Sequence, residues 1–331
     1  AANGALPTIN GIIVINASNV TIDGFAITGG AGAGLTAAVY PTAGKSNITV
    51  QNCVMDGTGK TGMYRAIETG IGVTGLKVLG CTMENWPTSS IYLNPTVGPT
   101  LIHGNVFANN VVGIGSDGQS NLTLQVNTFD GNTAEGLGAS GVGSGVVVRF
   151  NAFVNTPAGA VAIGHYGGQP IMAEKNWWGT TADAAIAPLI TGNVDYTPIL
   201  LSNQIRMAFG GHRLAEMQNP DGGWGWPLSG TSAANTIGPI AMGLAKAYQA
   251  TGDPDLRAAL QDAGAFLLAK LDRFSPSDGY LAAELDAVFG GTTYVTHVQT
   301  YFYGPLAAGT YQISGVDYDT AAYVNRIRTM R

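Results

Sequence analysis

Charge and cysteine are what this chain has least of. Charged side chains make up 11% of its 331 residues, and there are 2 cysteines. Two cysteines cannot build a disulfide scaffold. With 45% of the chain hydrophobic, the low-hydrophobicity, high-charge route to disorder is excluded as well. No stretch approaches ~18 consecutive apolar residues, so no membrane span is expected. A net charge of −6 leaves no basic surface for nucleic acid. What the chain has in abundance is glycine, 48 residues, about double the usual ~7%. Its length suggests about two domains of roughly 150 residues each.

Composition divides the chain unevenly. Residues 1–200 carry 6 Lys/Arg and 10 Asp/Glu, whereas residues 201–331 carry 9 and 11 in a shorter stretch. The same point separates a Gly/Asn/Thr/Val texture from an Ala/Leu texture. The expected domains are therefore 1–202 and 203–331.

The first domain repeats. Eight-residue windows beginning at Val20, Ile48, Leu76, Thr100, Leu122, Val146 and Ile171 align at spacings of 22 to 28 residues. Their first and third positions are mostly apolar, which marks one face of a strand. The sixth position reads Phe25, Cys53, Cys81, Asn105, Asn127, Asn151, Asn176. The eighth reads Ile27, Met55, Met83, Phe107, Phe129, Phe153, Trp178. In a coil of short parallel strands each column stacks on itself at ~4.8 Å, so seven rungs give a rod about 30 Å long. Stacked Asn side chains would bond to one another and to backbone at a sharp bend, with stacked aromatics filling the core behind them. Further strand signals fall at 35–40, 66–69, 91–93, 112–114 and 160–163.

This pattern resembles the right-handed parallel β-helix of the pectate-lyase-like superfamily over roughly residues 9–200. The run Asn176-Trp177-Trp178-Gly179, followed by 192–198, is similar to the terminal coil of secreted bacterial β-helix proteins. The resemblance implies a fold but not one function, since such solenoids carry lyases, hydrolases, epimerases, adhesins and inert spacers. It also implies that any chemistry sits on one exposed strand face and its loops.

Cys53 and Cys81 occupy one column on adjacent rungs, close enough for a disulfide. Their parallel inward direction favours two buried free thiols acting as small hydrophobes. No His or Cys companion falls in register, so no metal site and no cofactor is expected. Asn16, Asn19, Asn47 and Asn121 head N-x-S/T triplets, read as turn chemistry ahead of strands. The densest polar cluster is Asp56, Lys60, Tyr64, Arg65 and Glu68, followed by Tyr92, Asn94, Ser116, Asp117, His165 and Tyr166. No carboxylates recur in one column, which leaves Tyr92 and Tyr166 as candidates for a sugar-binding face.

From Ile205 the period becomes 3.6. Helices are expected at 205–218, 233–251, 254–272, 280–289, 293–306 and 318–330. Two stretches look alike: Gln218-Asn219-Pro220-Asp221-Gly222-Gly223-Trp224 and Ser275-Pro276-Ser277-Asp278-Gly279-Tyr280. The first resembles the Gln–Asp-Gly–Trp motif of α/α-toroid proteins, among them squalene-type cyclases, prenyltransferase subunits and helical polysaccharide lyases. That resemblance implies helical hairpins, with Gln capping a helix end and Trp packing the hairpin. Only about half the helices of a closed toroid fit here, and neither the acidic protonating motif nor a zinc set is present. Asp221, Asp278, Glu284, Asp286, His297, Tyr301, Asp317 and Asp319 are candidates for a concave catalytic face. Trp224 and Trp226 are candidates for stacking on sugar rings.

The fold expected is thus a β-helix followed by an α/α helical-hairpin, partial-toroid domain. The function expected is a secreted or cell-surface structural protein. Its rigid spacer bears a helical interaction head, self-associates into oligomers or filaments and contacts polysaccharide. A polysaccharide lyase or glycoside hydrolase and a non-catalytic carbohydrate-binding protein are the alternatives.

Overall fold

In a computed structural model the chain is described at residues 5–28, 36–60, 64–96, 98–228 and 230–311. It divides into two compact units, Ala1–Ile205 and Arg206–Arg331.

The first unit is a right-handed parallel β-solenoid. Each coil adds one strand to each of three sheets, and every strand pair within those sheets is parallel. Sheet I runs from Thr8–Ile9 to Ala152–Val154, sheet II from Ile13–Ile15 to Ile190–Thr191, and sheet III from Thr21–Asp23 to Val194–Asp195. The register in sheet III stacks Ile22 on Val50, Val78, Ile102, Leu124 and Val148. In sheet I, Ile27, Met55, Met83, Phe107, Phe129 and Phe153 lie over one another. The rings of Phe107, Phe129, Phe153 and Trp178 stack at 4.8 to 5.0 Å between centroids. All these side chains belong to one continuous buried core.

Between sheets III and I the backbone bends at a left-handed residue on each of seven rungs: Gly24, Asn52, Gly80, Gly104, Val126, Phe150 and Lys175. Glycine adopts this conformation freely, whereas a β-branched or aromatic residue is strained there, at about 1–2 kcal/mol. The Asn column sits next to this bend and offsets the cost. Asn105 N–H and its side-chain amide both donate to Asn127 Oδ1, Asn127 does the same to Asn151, and Asn151 to Asn176. The file ends where Cys81 N–H donates to Asn105 Oδ1 at 2.8 Å. A second, shorter ladder lies one bend further on: Trp86 N–H donates to Asn110 Oδ1 and Asn110 to Asn132 Oδ1, at 3.0 to 3.1 Å.

Cys53 and Cys81 are buried free thiols. Their Sγ atoms donate to the carbonyls of Gln51 and Leu79. The hydrogen-bonded Cys53 neighbour, with burial, pushes the Cys81 thiol well above its ordinary value. Asn19, Asn47 and Asn121 are left-handed turn residues, and the Asn47 side chain donates to Asn19 Oδ1 at 3.0 Å.

The expected outer strands are present as Ala37–Pro41, Arg65–Glu68, Ser89–Leu93, Val112–Asp117 and Val161–Gly168. Residue 35 of the first lies outside the described residues. Sheet II holds three strands that the periodicity does not reveal, the short terminal strands Ile13–Ile15 and Ile190–Thr191 and the long Glu135–Val142. Glycines at 136, 138 and 141 hide the alternation of the long one.

A short helix α1 (Asp183–Ile186) precedes the last strands of sheets II and III, and α2 (Ser202–Glu216) opens the helical region. There follow α3 (Ile237–Thr251), α4 (Pro254–Ala269), α5 (Pro276–Phe289), α6 (Thr293–Val298), a π-helical turn Gln299–Tyr303, and α7 (Gly304–Ala307). The stretch read as one helix over 293–306 is therefore three joined segments, and the helix expected at 318–330 lies outside the described residues, as do Asp317 and Asp319. Leu244, Leu256, Leu260, Leu267, Leu281 and Leu285 form the core. α3 ends on left-handed Gly252, and Asp253 starts α4 by accepting from Asp255 N–H at 2.9 Å.

The likeness drawn between the two Asp-Gly stretches fails in three dimensions. Asn219 to Gly223 is a turn, with Asp221 accepting from Gly223 N–H. Ser275 to Tyr280 is instead the start of α5, with Ser275 N–H donating to Asp278 Oδ2 at 2.7 Å and Pro276 in the first turn. A Pro followed by Asp serves both a turn and a helix start, so the two cannot be told apart by composition.

Candidate functional site

The outer face of sheet II carries a groove of about 430 Å³, lined by Arg65, Thr88, Ser89, Tyr92, Gly115, Asp117, Glu135, Gly138, Ser140 and Tyr166, among others. Its floor follows from the register. Glu68, Tyr92, Gly115, Gly138 and Gly164 succeed one another on five neighbouring strands. Three glycines in a row leave backbone where side chains would stand, and larger residues lie across it. A Cβ on Gly115 would meet Tyr92 Cδ2 at 2.9 Å, and one on Gly138 would meet Glu135 Cδ at 2.9 Å. At Gly164 a Cβ would lie 2.6 Å from both Glu135 Oε1 and the Tyr166 hydroxyl. From the Tyr92 strand to the Gly164 strand the floor is about 14 Å long.

Two polar groupings mark its ends. Arg65 pairs with Glu68 at 2.8 Å and lies 4.4 Å above the Tyr92 ring. Thr36 Oγ1 donates to the same Glu68 oxygen at 2.9 Å. At the other end the Tyr166 hydroxyl donates to Glu135 Oε1. That bond, with burial, pushes the Tyr166 phenol up to about 12, so at neutral pH it donates hydrogen bonds and is no general base. The Tyr166 side chain is 53% exposed. Ser89 is 5% exposed, and neither its hydroxyl nor Arg65 Nε has a hydrogen-bond partner among the described residues. Buried polar groups without partners are uncommon, and here both belong to residues of the groove wall.

The structure brings together Arg65, Glu68, Tyr92, Ser116, Asp117 and Tyr166 from the residues singled out by sequence, and adds Glu135, which sequence reasoning missed. The signal was the alternate glycine in Glu-Gly-Leu-Gly, in step with the glycines of the neighbouring rungs. The other members of the cluster stand elsewhere. Asp56 holds a turn, accepting from Thr58 and from Asn85. His165 is a buried structural residue: its Nδ1 accepts from Asn193 N–H and its Nε2 donates to Gln169 O, both at 3.1 Å. Tyr92 lends one ring face to Arg65, so Tyr166 is the more open aromatic surface.

In the helical unit the candidates for catalysis do not converge. Asp278 is fully buried, ion-paired to Lys270 at 2.6 Å and engaged in the α5 cap. Burial draws the Lys270 ammonium below its ordinary value, against the pull of Asp278. Asp221 accepts from the Ser232 hydroxyl and holds a turn. Glu284 bonds Lys246 and Gln249 at the surface, and these two hold its carboxyl below the usual range. Asp286 accepts from Tyr294 and Val295 N–H at the start of α6. His297 Nε2 meets Lys270 O at 2.7 Å, with its ring packed on Tyr301. Each acid is committed to capping or pairing.

The two Trp candidates separate. Trp224 is fully buried and donates its indole N–H to Leu214 O at 2.8 Å, so it packs the hairpin and offers no face to a sugar. Trp226 is 82% exposed. Gln218 Nε2 donates to the carbonyls of Gly222 in the turn and Ala259 within α4, so it braces the turn against α4 rather than capping a helix end as the toroid motif implies.

His212, Asp253 and Asp255 place ligand-type atoms within 4.8 Å of one another. His212 Nε2 and Asp253 Oδ2 are 2.6 Å apart, closer than two atoms that each bind an ion at about 2.1 Å would sit. This pair is a buried hydrogen bond that ties α2 to the α4 cap.

The family model described as "Right handed beta helix region" matches residues 10–176. No curated protein and no solved structure matches the chain.

Proposed function

The chain belongs to the right-handed β-helix family, and from that premise we propose that it is a non-catalytic glycan-binding protein of the cell surface or extracellular space. The solenoid is a rigid spacer that carries a polysaccharide groove, and the helical unit is its interaction head. The observation that carries this reading is the sheet II groove itself. It has a glycine floor over which Tyr92, Glu135 and Tyr166 lie, an exposed Tyr166 ring, and the unpartnered Ser89 hydroxyl and Arg65 Nε along its wall. Flat floors with an aromatic face and a few polar groups suit sugar rings, which present apolar faces and hydroxyl edges together. Titration of the protein with a panel of neutral, acidic and amino-bearing oligosaccharides, followed by NMR or calorimetry, tests it. Binding that falls at least tenfold in Gly138→Leu, which fills the floor, is expected. Silence across the panel removes the reading.

An enzymatic reading has one specific support, Asp117 and Glu135 in the same groove. A glycoside hydrolase uses two such carboxylates, and release of reducing ends that is abolished in Glu135→Gln would establish it. A lyase reading is weaker, because Arg65 is already paired with Glu68.

End-to-end self-association belongs to the same proposal. Thr8–Ile9, Ile13–Ile15 and Thr21–Asp23 are the terminal strands of their sheets among the described residues, and unpaired strand edges favour association. A monomer by light scattering at high concentration would count against it. The toroid kinship of the helical unit is supported by the bond of the buried Trp224 indole to Leu214 O.

A further inference from the structure

We infer that the sheet II groove selects an amino-bearing, cationic glycan over an acidic one; this rests on the glycan-binding reading above. Three carboxylates, Glu68, Asp117 and Glu135, lie in or beside the groove, against one cation, Arg65. That cation is engaged on one side: its Nη1 is paired with Glu68 at 2.8 Å and the guanidinium is held over the Tyr92 ring at 4.4 Å, which leaves its buried Nε as the one unpartnered donor. Asp117 and Glu135 have no ion-pair partner among the described residues. Glu135 keeps Oε1 on the Tyr166 hydroxyl, which leaves Oε2 to accept from a ligand.

The glycine floor adds to the selection. Because residues 115, 138 and 164 bring no side chain, the floor itself supplies no Lys or Arg to receive a uronate or sulfate, and Arg65 is the one cation lining the groove among the described residues. An acidic sugar would set its carboxylate against Asp117 and Glu135, and like charges in a partly desolvated groove repel. A protonated amine instead gains charge-assisted hydrogen bonds to the same two groups. Ser89 Oγ, which lines the wall without a partner, is suited to a neutral sugar hydroxyl.

The test compares three probes of equal length with the full chain by calorimetry: a glucosamine oligomer, its N-acetylated counterpart and an oligogalacturonate, below the pKa of the sugar amine. The glucosamine oligomer is expected to bind about tenfold more tightly than the acetylated one, the size of one charge-assisted hydrogen bond of about 1.4 kcal/mol. That preference should shrink with added salt and disappear in Asp117→Asn/Glu135→Gln, while weak binding of the acetylated probe persists. Asp117→Asn alone, at an exposed position, provides a second variant that leaves the Glu135–Tyr166 bond in place. Equal affinity for the two glucosamine probes overturns the inference and leaves the glycan-binding reading standing. Tighter binding of the oligogalacturonate also overturns it. If none of the three binds, both fall together.

Discussion

The solenoid and the helical unit hold their polar residues in opposite ways. In the solenoid the same bond is made again and again: Asn105, Asn127 and Asn151 each donate to the next side chain in one file. In the helical unit every buried polar residue has its own partner, such as Lys270 with Asp278, His212 with Asp253 and Gln218 with Ala259 O. A repeated bond can be read from a column in the sequence, because the same residue returns at the same spacing. A private bond cannot, since nothing in the local sequence of Lys270 announces Asp278. The contrast also says where a ligand fits. In the groove on sheet II the unpartnered Ser89 hydroxyl and Arg65 Nε stand beside the glycine strands, whereas the helical candidates for catalysis hold caps, turns or ion pairs.

Removing one member of the ladder should give the largest effect. Asn127→Ala would leave Asn105 N–H and its amide without their acceptor, both buried, and would take support from the strained bend at Val126. Each stranded buried group costs about 1–3 kcal/mol, so a loss of about 4 kcal/mol is expected in chemical denaturation of the solenoid. A loss below 1 kcal/mol would mean the ladder is ornament and packing alone sets the register. Next, Lys270→Met should cost about 3 kcal/mol by leaving Asp278 buried and unpaired. Lys270→Met/Asp278→Leu should regain most of it, because a private pair can be replaced whole where a ladder member cannot. Failure of the double variant to recover would erase that distinction.

A smaller effect concerns the groove. The Tyr166 phenol, raised from 10.0 to about 12 by its bond to Glu135, should titrate two units late in a difference spectrum against Tyr166→Phe. Glu135→Gln should bring it back toward 10. The sign follows from linkage: the folded state favours the protonated phenol, so the contribution of the bond is complete below the unfolded value of 10.0 and is lost as pH rises through about 12. A midpoint at 10 in the unmodified protein would show that the bond does not form in solution. The smallest change is Trp226→Ala, at a side chain 82% exposed. It should alter stability by less than about 0.5 kcal/mol, whereas Trp224→Ala, at a fully buried indole, should cost about 3–5 kcal/mol.

How far the sequence could be read follows from the same contrast. The inner columns were legible down to individual residues, since Phe107, Phe129 and Phe153 return at the eighth position of each window and stack as expected. The strand Glu135–Val142 was not, because its glycines erase the two-residue alternation on which strand reading depends. The same glycines concealed Glu135, so the strand and the site residue were lost for one physical reason. In the helical unit the residue types were read correctly and their roles were not. Asp278, Glu284 and His297 have the chemistry of an active site, and only their neighbours in space reveal that they cap and brace.

The directionality of the Asn file has one more consequence. Each rung of the Asn file offers an oxygen on one side and two N–H groups on the other, so any one of these rungs can follow any other. A whole coil gained or lost therefore leaves two compatible faces to rejoin, while a gain of a few residues between window positions one and eight would misalign every coil above it. Growth of this rod is thus quantised. Its variants should differ by entire turns, or by loops that leave the columns untouched.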